Sequence, residues 1–187
     1  IIEQASNHLL CAVLYVNGEP LIYKDIYKAL KFASERKVGT MISTNGELLT
    51  ENNIQKLLDS GLDCIKVAIS GFTQDTYEIQ HRGCDIEKVK KNLETLSRLR
   101  RQGKYKIVIL LDYVFYNYNK HQVKQAHKFS QDLGFLFNRR PGSLDHLKDD
   151  RPEIMEMEIT RQPNQPATSL CEWPWKVMTI DWNGSIY

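Results

Sequence analysis

The sequence predicts an α/β protein with a parallel β-sheet, and two observations support this fold class. Segments of strand character alternate along the chain with segments whose apolar residues recur at helical spacing. Two of the strand segments, IKVAI and KIVILL, are almost continuously apolar, as is typical of strands buried on both faces. This alternation favours neighbouring parallel strands joined by right-handed crossover helices.

Strands are expected at six places, each a short apolar or β-branched run: residues 1–5, 11–16, 38–43, 64–69, 106–115 and 135–139. The helices between them are marked by apolar spacing and by their end signals. We expect them at residues 25–36, 50–58, 85–102 and 120–133, and a glycine lies at or just beyond the end of each of the last three.

The alternation ends near residue 140. Residues 141–170 include Pro152, Pro163 and Pro166 among many polar residues, so we interpret this segment as a linker or cover. Residues 171–187 contain CEWPW, a short strand and an Asn-Gly turn, which indicates a hairpin. The predicted organisation is therefore a first domain at 1–140, a linker at 141–170 and a small extension at 171–187.

Composition excludes several classes of protein. With 187 residues, 42% of them hydrophobic, and a formal net charge of +2, the chain is typical of folded globular proteins. The near-neutral charge gives no signature of nucleic-acid or anionic-membrane binding, and no apolar run approaches the roughly 18 residues of a membrane span. Four widely spaced cysteines favour a reducing compartment, so we expect a cytoplasmic protein.

Polar residues follow most of the predicted strands, and βα barrels carry their active sites at this carboxyl end of the sheet. Gly18-Glu19-Pro20 is the most informative strand end. Pro20 restricts Glu19 to extended conformations, so the carboxylate has a fixed direction and suits an ammonium ligand. The structural alternative, in which Pro20 begins a helical turn with Glu19 near its dipole, is equally open from the residues alone.

The strand-end segments resemble the radical S-adenosylmethionine (SAM) enzymes over nearly the whole chain. The matching pieces are VNGEPLIYKD, STNGELL, VAISGF with a downstream arginine, and NRRPGS, in the family's order. The tail CEWPWKVMTIDWNGSIY resembles the start of the SPASM extension, which binds auxiliary iron–sulfur clusters.

This resemblance implies a partial (β/α)6 TIM-like barrel with parallel strands and a truncated C-terminal SPASM-like extension. It implies a [4Fe–4S] cluster, SAM and an auxiliary iron–sulfur cluster, with an electron donor such as flavodoxin or ferredoxin. In such enzymes the reduced cluster cleaves SAM to a 5′-deoxyadenosyl radical, which abstracts hydrogen from the substrate. The implied substrate is a peptide, a protein or a small molecule such as a sugar.

The positions that carry over to SAM binding are Gly18, Glu19, Pro20, Thr44, Asn45, Ser70, Arg82 and Asn117. Glu19 would receive the SAM amino group, and Ser70 and Arg82 would contact the SAM carboxylate or ribose. Thr44 and Asn45 would line the adjoining wall. In the extension, the resemblance makes Cys171 a ligand of the auxiliary cluster, whereas the residues alone favour a lone buried cysteine.

The chain departs from the family in one respect, because the CxxxCxxC loop that holds the cluster is absent. The predicted first strand runs directly into the second, although parallel neighbours need a crossover of about a dozen residues. We therefore expect a missing segment near Asn7 and His8 that holds the cluster cysteines and the first helix. The SPASM pattern likewise expects further cysteines after Tyr187.

Two other functions fit the residues. A degenerate barrel without a cluster would act as a binding or scaffold protein, and an uninterrupted junction between Asn7 and His8 favours it. An ordinary acid–base barrel enzyme would use Glu19, and it requires a second carboxylate facing Glu19. Besides Glu19, Glu47 is the only acidic residue near a predicted strand end, and it is weakly placed for this role.

Overall fold

A computed structural model describes residues 1–15, 18–142, 177–180 and residue 185. At its centre lies a five-stranded sheet formed by β1 (Cys11–Val13), β2 (Gly39–Thr44), β3 (Cys64–Ile69), β4 (Val108–Phe115) and β5 (Leu136–Pro141). The strands lie in the order β1-β2-β3-β4-β5, and every neighbouring pair is parallel. The predicted parallel α/β architecture is therefore confirmed, with five of the six expected strands.

The helices are α1 (Ile2–Ala5), α2 (Ile26–Glu35), α3 (Glu51–Asp59), α4 (Gln74–Tyr77), α5 (Ile86–Gln102) and α6 (Val123–Leu133). Short 3₁₀ turns at Pro20–Ile22 and Lys120–Gln122 precede α2 and α6. The residues that we expected at the beginnings of α3 and α5 cap these helices. The Thr50 hydroxyl caps α3, and the Asp85 carboxylate accepts from two amides in the first turn of α5.

The prediction of a strand at residues 1–5 is wrong, because this segment forms the helix α1. The Ala5 amide donates to the Ile1 carbonyl at 3.0 Å, and the Leu9 amide donates to the Ala5 carbonyl at 2.9 Å. Ile2 and Leu9 pack against the small apolar cluster that includes Val38. A β-prone run of this length becomes helical here because one turn of helix brings its apolar side chains onto that cluster.

The chain passes from Asn7 to His8 inside one turn, since the His8 amide donates to the Ala5 carbonyl at 2.9 Å. The missing segment that the family resemblance led us to expect near these two residues stays a prediction. The linker at 141–170 and the extension at 171–187 lie almost entirely outside the described residues.

The two faces of the sheet differ in their residues. In β2 and β3, buried and half-buried positions alternate strictly, as a strand pleat requires. The buried positions, among them Ile42, Ile65 and Val67, join the main core beneath the helices. The opposite positions form what we call the inner face, which includes Ser43, Lys66 and the residues paired with them.

No helix within the described residues is both long and apolar enough to cross a membrane.

Candidate functional site

A pocket of about 450 Å³ opens on the inner face near the carboxyl ends of β1, β2 and β3. Its lining residues are Tyr15, Gly18, Glu19, Ser43, Thr44, Asn45, Lys66, Ala68 and Arg140. The volume lies within the range of small-molecule sites, roughly 300–1,000 Å³. The pocket brings together four of the predicted residues: Gly18, Glu19, Thr44 and Asn45.

The carboxylate of Glu19 joins the segment after β1 to the end of β2. Its Oε1 accepts a hydrogen bond from the Leu21 amide at 3.1 Å, and its Oε2 accepts one from the Asn45 amide at 2.9 Å. The first bond makes Glu19 the cap of the 3₁₀ turn that Pro20 begins, so the structural interpretation of this motif is correct. Glu19 also lines the pocket, and a carboxylate has about four acceptor sites, so two amides leave room for an ammonium group.

The Thr44-Asn45-Gly46 turn presents the Asn45 amide to Glu19. The Thr44 hydroxyl is buried and accepts from the Gly46 amide at 3.1 Å, so this side chain stabilises the turn itself. Gly46 has a φ of +84°, and a Cβ there would lie 2.9 Å from a methyl carbon of Val89. Only glycine fits this position without strain.

Ser70 lies directly after β3 and is 2% exposed. Its hydroxyl interacts with the buried hydroxyl of Tyr118, and neither group forms a further hydrogen bond within the described residues. Burial raises the pKa of Tyr118, so this phenol remains protonated. The two hydroxyls retain unused hydrogen-bonding capacity, which is consistent with a polar ligand at this strand end.

Four predicted residues lie outside the pocket lining. Pro20 is the first residue of the 3₁₀ turn, and Ser70 is buried behind the strand end. Arg82 and Asn117 are both exposed, and the Asn117 side chain accepts a hydrogen bond from Lys120 Nζ at 3.2 Å. Their proposed contacts with SAM stay predictions, and the predicted ligand Cys171 lies outside the described residues.

Glu47 does not face Glu19 across the pocket. Its two oxygens accept from the Asp85 amide at 2.6 Å and from Lys88 Nζ at 2.8 Å, which ties Glu47 to the beginning of α5. Among the described residues that line the pocket, Glu19 is the one carboxylate. The geometry therefore gives no support to the acid–base barrel enzyme.

The sequence analysis did not select Lys66, Asp112 or Tyr15, and it included Arg140 only within the segment NRRPGS. Lys66, Tyr15 and Arg140 line the pocket, and Asp112 is buried beside it. A signal was present, because Lys66 and Asp112 are charged residues in the middle of nearly continuous apolar strands. Such strands rarely bury a charge without a partner.

His81 stacks on Tyr77, with ring centroids 4.4 Å apart. Burial lowers the pKa of His81 to about 4, so the imidazole is neutral at pH 7. The Tyr77 hydroxyl donates to the Asn45 carbonyl at 3.3 Å. The stacked pair thus supports the turn that holds Glu19.

The described residues fit SAM but do not fit a [4Fe–4S] cluster. The fixed Glu19 carboxylate, which lines the pocket, supplies an acceptor for the amino group of SAM. Within the described part of the chain, no group of three or more His, Cys, Asp or Glu side chains could hold a metal ion. Cys11 and Cys64 begin their strands, at the edge of the sheet away from the pocket, and burial raises the pKa of both thiols.

The fold and the pocket define a class: an α/β protein of the open βα-barrel type, with its site at the carboxyl edge of a parallel sheet. The family model described as the Radical SAM superfamily matches residues 2–130, and the chain belongs to this superfamily.

Comparisons with individual proteins agree with this membership. The GTP 3′,8-cyclase of Clostridium botulinum is 28% identical over 95 residues, which cover 50% of this chain and 30% of that protein. The PqqA peptide cyclase of Granulibacter bethesdensis is 24% identical over 134 residues, or 72% of this chain and 34% of that protein. The structure of Streptococcus suis SuiB bound to S-adenosylmethionine superimposes with a TM-score of 0.64 at 18% identity, covering 83% of this chain and 35% of SuiB.

The chain spans about a third of the length of these proteins. At its level of identity, the likeness to SuiB shows the shared fold alone.

Proposed function

We propose that the protein to which this chain belongs is a radical SAM enzyme. It binds SAM at the carboxyl edge of the sheet, cleaves it to a 5′-deoxyadenosyl radical, and uses that radical to abstract hydrogen from a substrate. Superfamily membership over residues 2–130 supports the reaction class. The observation that carries the proposed binding mode is the Glu19 carboxylate, held between two amides at the mouth of the pocket.

Chemical complementarity supports the amino group of SAM as the ligand of Glu19. The two amides fix the direction of the carboxylate, and a charge-assisted bond from an ammonium group is about twice as strong as a neutral one. Ser70 is proposed to bond an oxygen of SAM, because its hydroxyl lies at the end of β3 and interacts only with the Tyr118 hydroxyl among the described residues. Thr44 and Asn45 would form the wall between them, chiefly through their backbone.

We include a [4Fe–4S] cluster in the proposal because the chain belongs to the radical SAM superfamily, and we assign no described residue to it. An auxiliary cluster at Cys171 and an electron donor such as flavodoxin or ferredoxin are proposed on the same basis. We favour a peptide or protein as the substrate, because the PqqA peptide cyclase matches a larger share of this chain than the GTP 3′,8-cyclase does.

The test uses the full-length protein, reconstituted anaerobically with iron and sulfide. SAM cleavage to 5′-deoxyadenosine is measured for the wild type, for Glu19→Gln and for Glu47→Gln. Glu19→Gln removes the charge that would bind the ammonium group, so we expect the apparent affinity for SAM to fall about tenfold or more, with iron content unchanged. Glu47→Gln is the matched control, because Glu47 contacts α5 instead of the pocket.

Equal SAM affinity in Glu19→Gln and the wild type would exclude the proposed contact. A full-length protein that binds no iron would contradict the radical reaction and would support the alternative, a degenerate barrel acting as a binding or scaffold protein.

A further inference from the structure

A group of charged side chains on the inner face has no role in the SAM contacts described above. Asp112 is 1% exposed in the middle of β4. Asn138 Nδ2 donates to its Oδ1 at 2.7 Å, and Arg140 Nε donates to its Oδ2 at 2.9 Å. Lys66 Nζ lies 3.9 Å from the same Oδ2. We call these four residues the inner-face charge cluster.

The sheet register brings this cluster together. Ala68, Asp112 and Asn138 occupy paired positions on β3, β4 and β5, so Asp112 and Asn138 are direct neighbours. Lys66 lies two residues before Ala68 and Arg140 two residues after Asn138, which places both on the same face as Asp112. Three strands therefore direct charged groups to one place beside the pocket.

Both cations keep hydrogen-bond donors that Asp112 does not use. The guanidinium of Arg140 bonds to Asp112 through Nε, and its two terminal nitrogens carry four further hydrogens. The 3.9 Å between Lys66 Nζ and Asp112 exceeds hydrogen-bond length, and the ammonium group lies 5.1 Å from the centre of the Tyr15 ring. Lys66, Arg140 and Tyr15 all line the pocket.

The charges of the cluster do not cancel. Lys66 and Arg140 bring two positive charges to the single carboxylate of Asp112, so one positive charge is left over next to the pocket. The Lys66 side chain is only 20% exposed. Buried ion pairs rarely stabilise a fold relative to apolar residues, so stability alone does not explain a second cation at this place. The Glu19 carboxylate lines the same pocket, but its charge is matched by the ammonium group of the proposed ligand, so a bound anion would balance the charge of the cluster.

We propose that Lys66 and Arg140 bind an oxyanion of the substrate, a carboxylate or a phosphate group, while Asp112 positions the two cations. The inference deepens the proposed function and rests on it for the position of SAM at Glu19. The pocket then has an acidic side, at Glu19, for an ammonium group and a basic side, at Lys66 and Arg140, for an anion. Paired Lys and Arg donors are well suited to oxyanions, since each bond is charge-assisted.

The test measures anion binding to the reconstituted full-length protein at low ionic strength. Sodium pyrophosphate and sodium glutarate serve as separate probes of phosphate and carboxylate. In the wild type, binding is followed by the NMR signals of arginine Nε–H groups, and the affinities of wild type and variants are compared by isothermal titration calorimetry. We expect at least one probe to shift the Arg140 signal. Lys66→Met and Arg140→Gln should each weaken its binding about tenfold or more.

Two matched controls remove exposed cations elsewhere, Lys128→Met and Arg98→Gln, and both should leave the binding of the probes unchanged. Arg140→Gln also keeps the proposal testable if Lys66→Met is poorly folded, because the Arg140 side chain is half exposed. The identity of the probe that binds distinguishes phosphate from carboxylate. Failure of both probes to bind, or equal loss in the controls, would overturn the proposal.

A second measurement separates the substrate from SAM as the source of the anion. S-adenosylhomocysteine carries the same carboxylate as SAM, and its affinity should change less than about twofold in Lys66→Met. An equal loss for S-adenosylhomocysteine and the probes would assign the cluster to SAM itself and contradict a substrate site. If Glu19→Gln leaves SAM cleavage unchanged while probe binding still depends on Lys66, the Glu19 contact fails and the anion site stands.

Discussion

The same strands present two unlike faces, one packed under helices and one open to the pocket. On the helix-covered face, Ile42, Ile65 and Val67 are completely buried among other apolar side chains. On the inner face, Leu136 is 60% exposed, and Lys66 lies close to the buried carboxylate of Asp112. Since successive residues of a strand point to opposite sides, one segment can stabilise the fold and carry a binding group at the same time.

The difference shows how stability and chemistry are divided in this chain. Truncations on the helix-covered face should unfold the protein, whereas changes on the inner face should alter ligand binding with little effect on stability.

The largest expected effect is on the helix-covered face. Ile65→Ala removes a fully buried side chain and leaves a cavity between β3 and the helices, so we expect the free energy of unfolding to fall by about 2–5 kcal/mol. Leu136→Ala is the paired variant on the inner face, and it should change this free energy by less than about 0.5 kcal/mol. Urea denaturation of the wild type and both variants measures these free energies of unfolding. Equal losses would mean that the inner face is packed as tightly as the covered one.

The next effect concerns His81, which supports the turn beside the pocket through its stacking on Tyr77. The pKa of His81 is about 4 in the folded chain and 6.5 in the unfolded chain, so between these values only the unfolded state binds the proton. The free energy of unfolding therefore rises with pH across this window, by up to about 3 kcal/mol. This contribution of His81 is complete above pH 6.5 and is lost as the pH falls towards 4.

Denaturation at pH 4.5 and pH 7 measures this effect. His81→Phe keeps a ring stacked on Tyr77 and removes the titrating group, so its stability should depend less on pH than that of the wild type. An unchanged pH dependence in His81→Phe would show that other groups cause the acid sensitivity.

The smallest effect is expected at Lys66. Because its ammonium group is 3.9 Å from Asp112 and partly desolvated, replacing it with methionine should change the free energy of unfolding by less than about 1 kcal/mol. Thermal denaturation compared with Lys128→Met checks this. A loss of several kcal/mol in Lys66→Met would make the lysine a structural residue and would end the contrast between the two faces.

Local signals were sufficient to predict most helices and strands from the sequence. The hydroxyl of Thr50 and the carboxylate of Asp85 begin helices where expected, and Gly134 ends one with a φ of +70°. The prediction for residues 1–5 was wrong because the β-branched residues of this segment indicate a strand. The packing of Ile2 against the cluster that includes Val38, which is distant in sequence, stabilises a helix instead.

The site was predicted only in part, for a similar reason. Glu19 and Asn45 could be selected because each lies beside a turn-forming residue, and the structure brings them to hydrogen-bond distance. Lys66, Asp112 and Arg140 come from three strands, and only the register of the sheet shows that they meet. Thr44 lines the pocket, but its hydroxyl is used within the turn, and this use depends on backbone angles that the sequence does not state.

The two amides on Glu19 have a thermodynamic consequence for any ligand that this carboxylate binds. A glutamate side chain normally loses considerable rotational freedom when it is fixed by a ligand, and this loss weakens binding. Here folding has already removed that freedom, because the Leu21 and Asn45 amides hold both oxygens. Association should therefore carry a small entropic penalty at this contact, and calorimetry should find a less unfavourable binding entropy than in a variant whose Glu19 side chain is released.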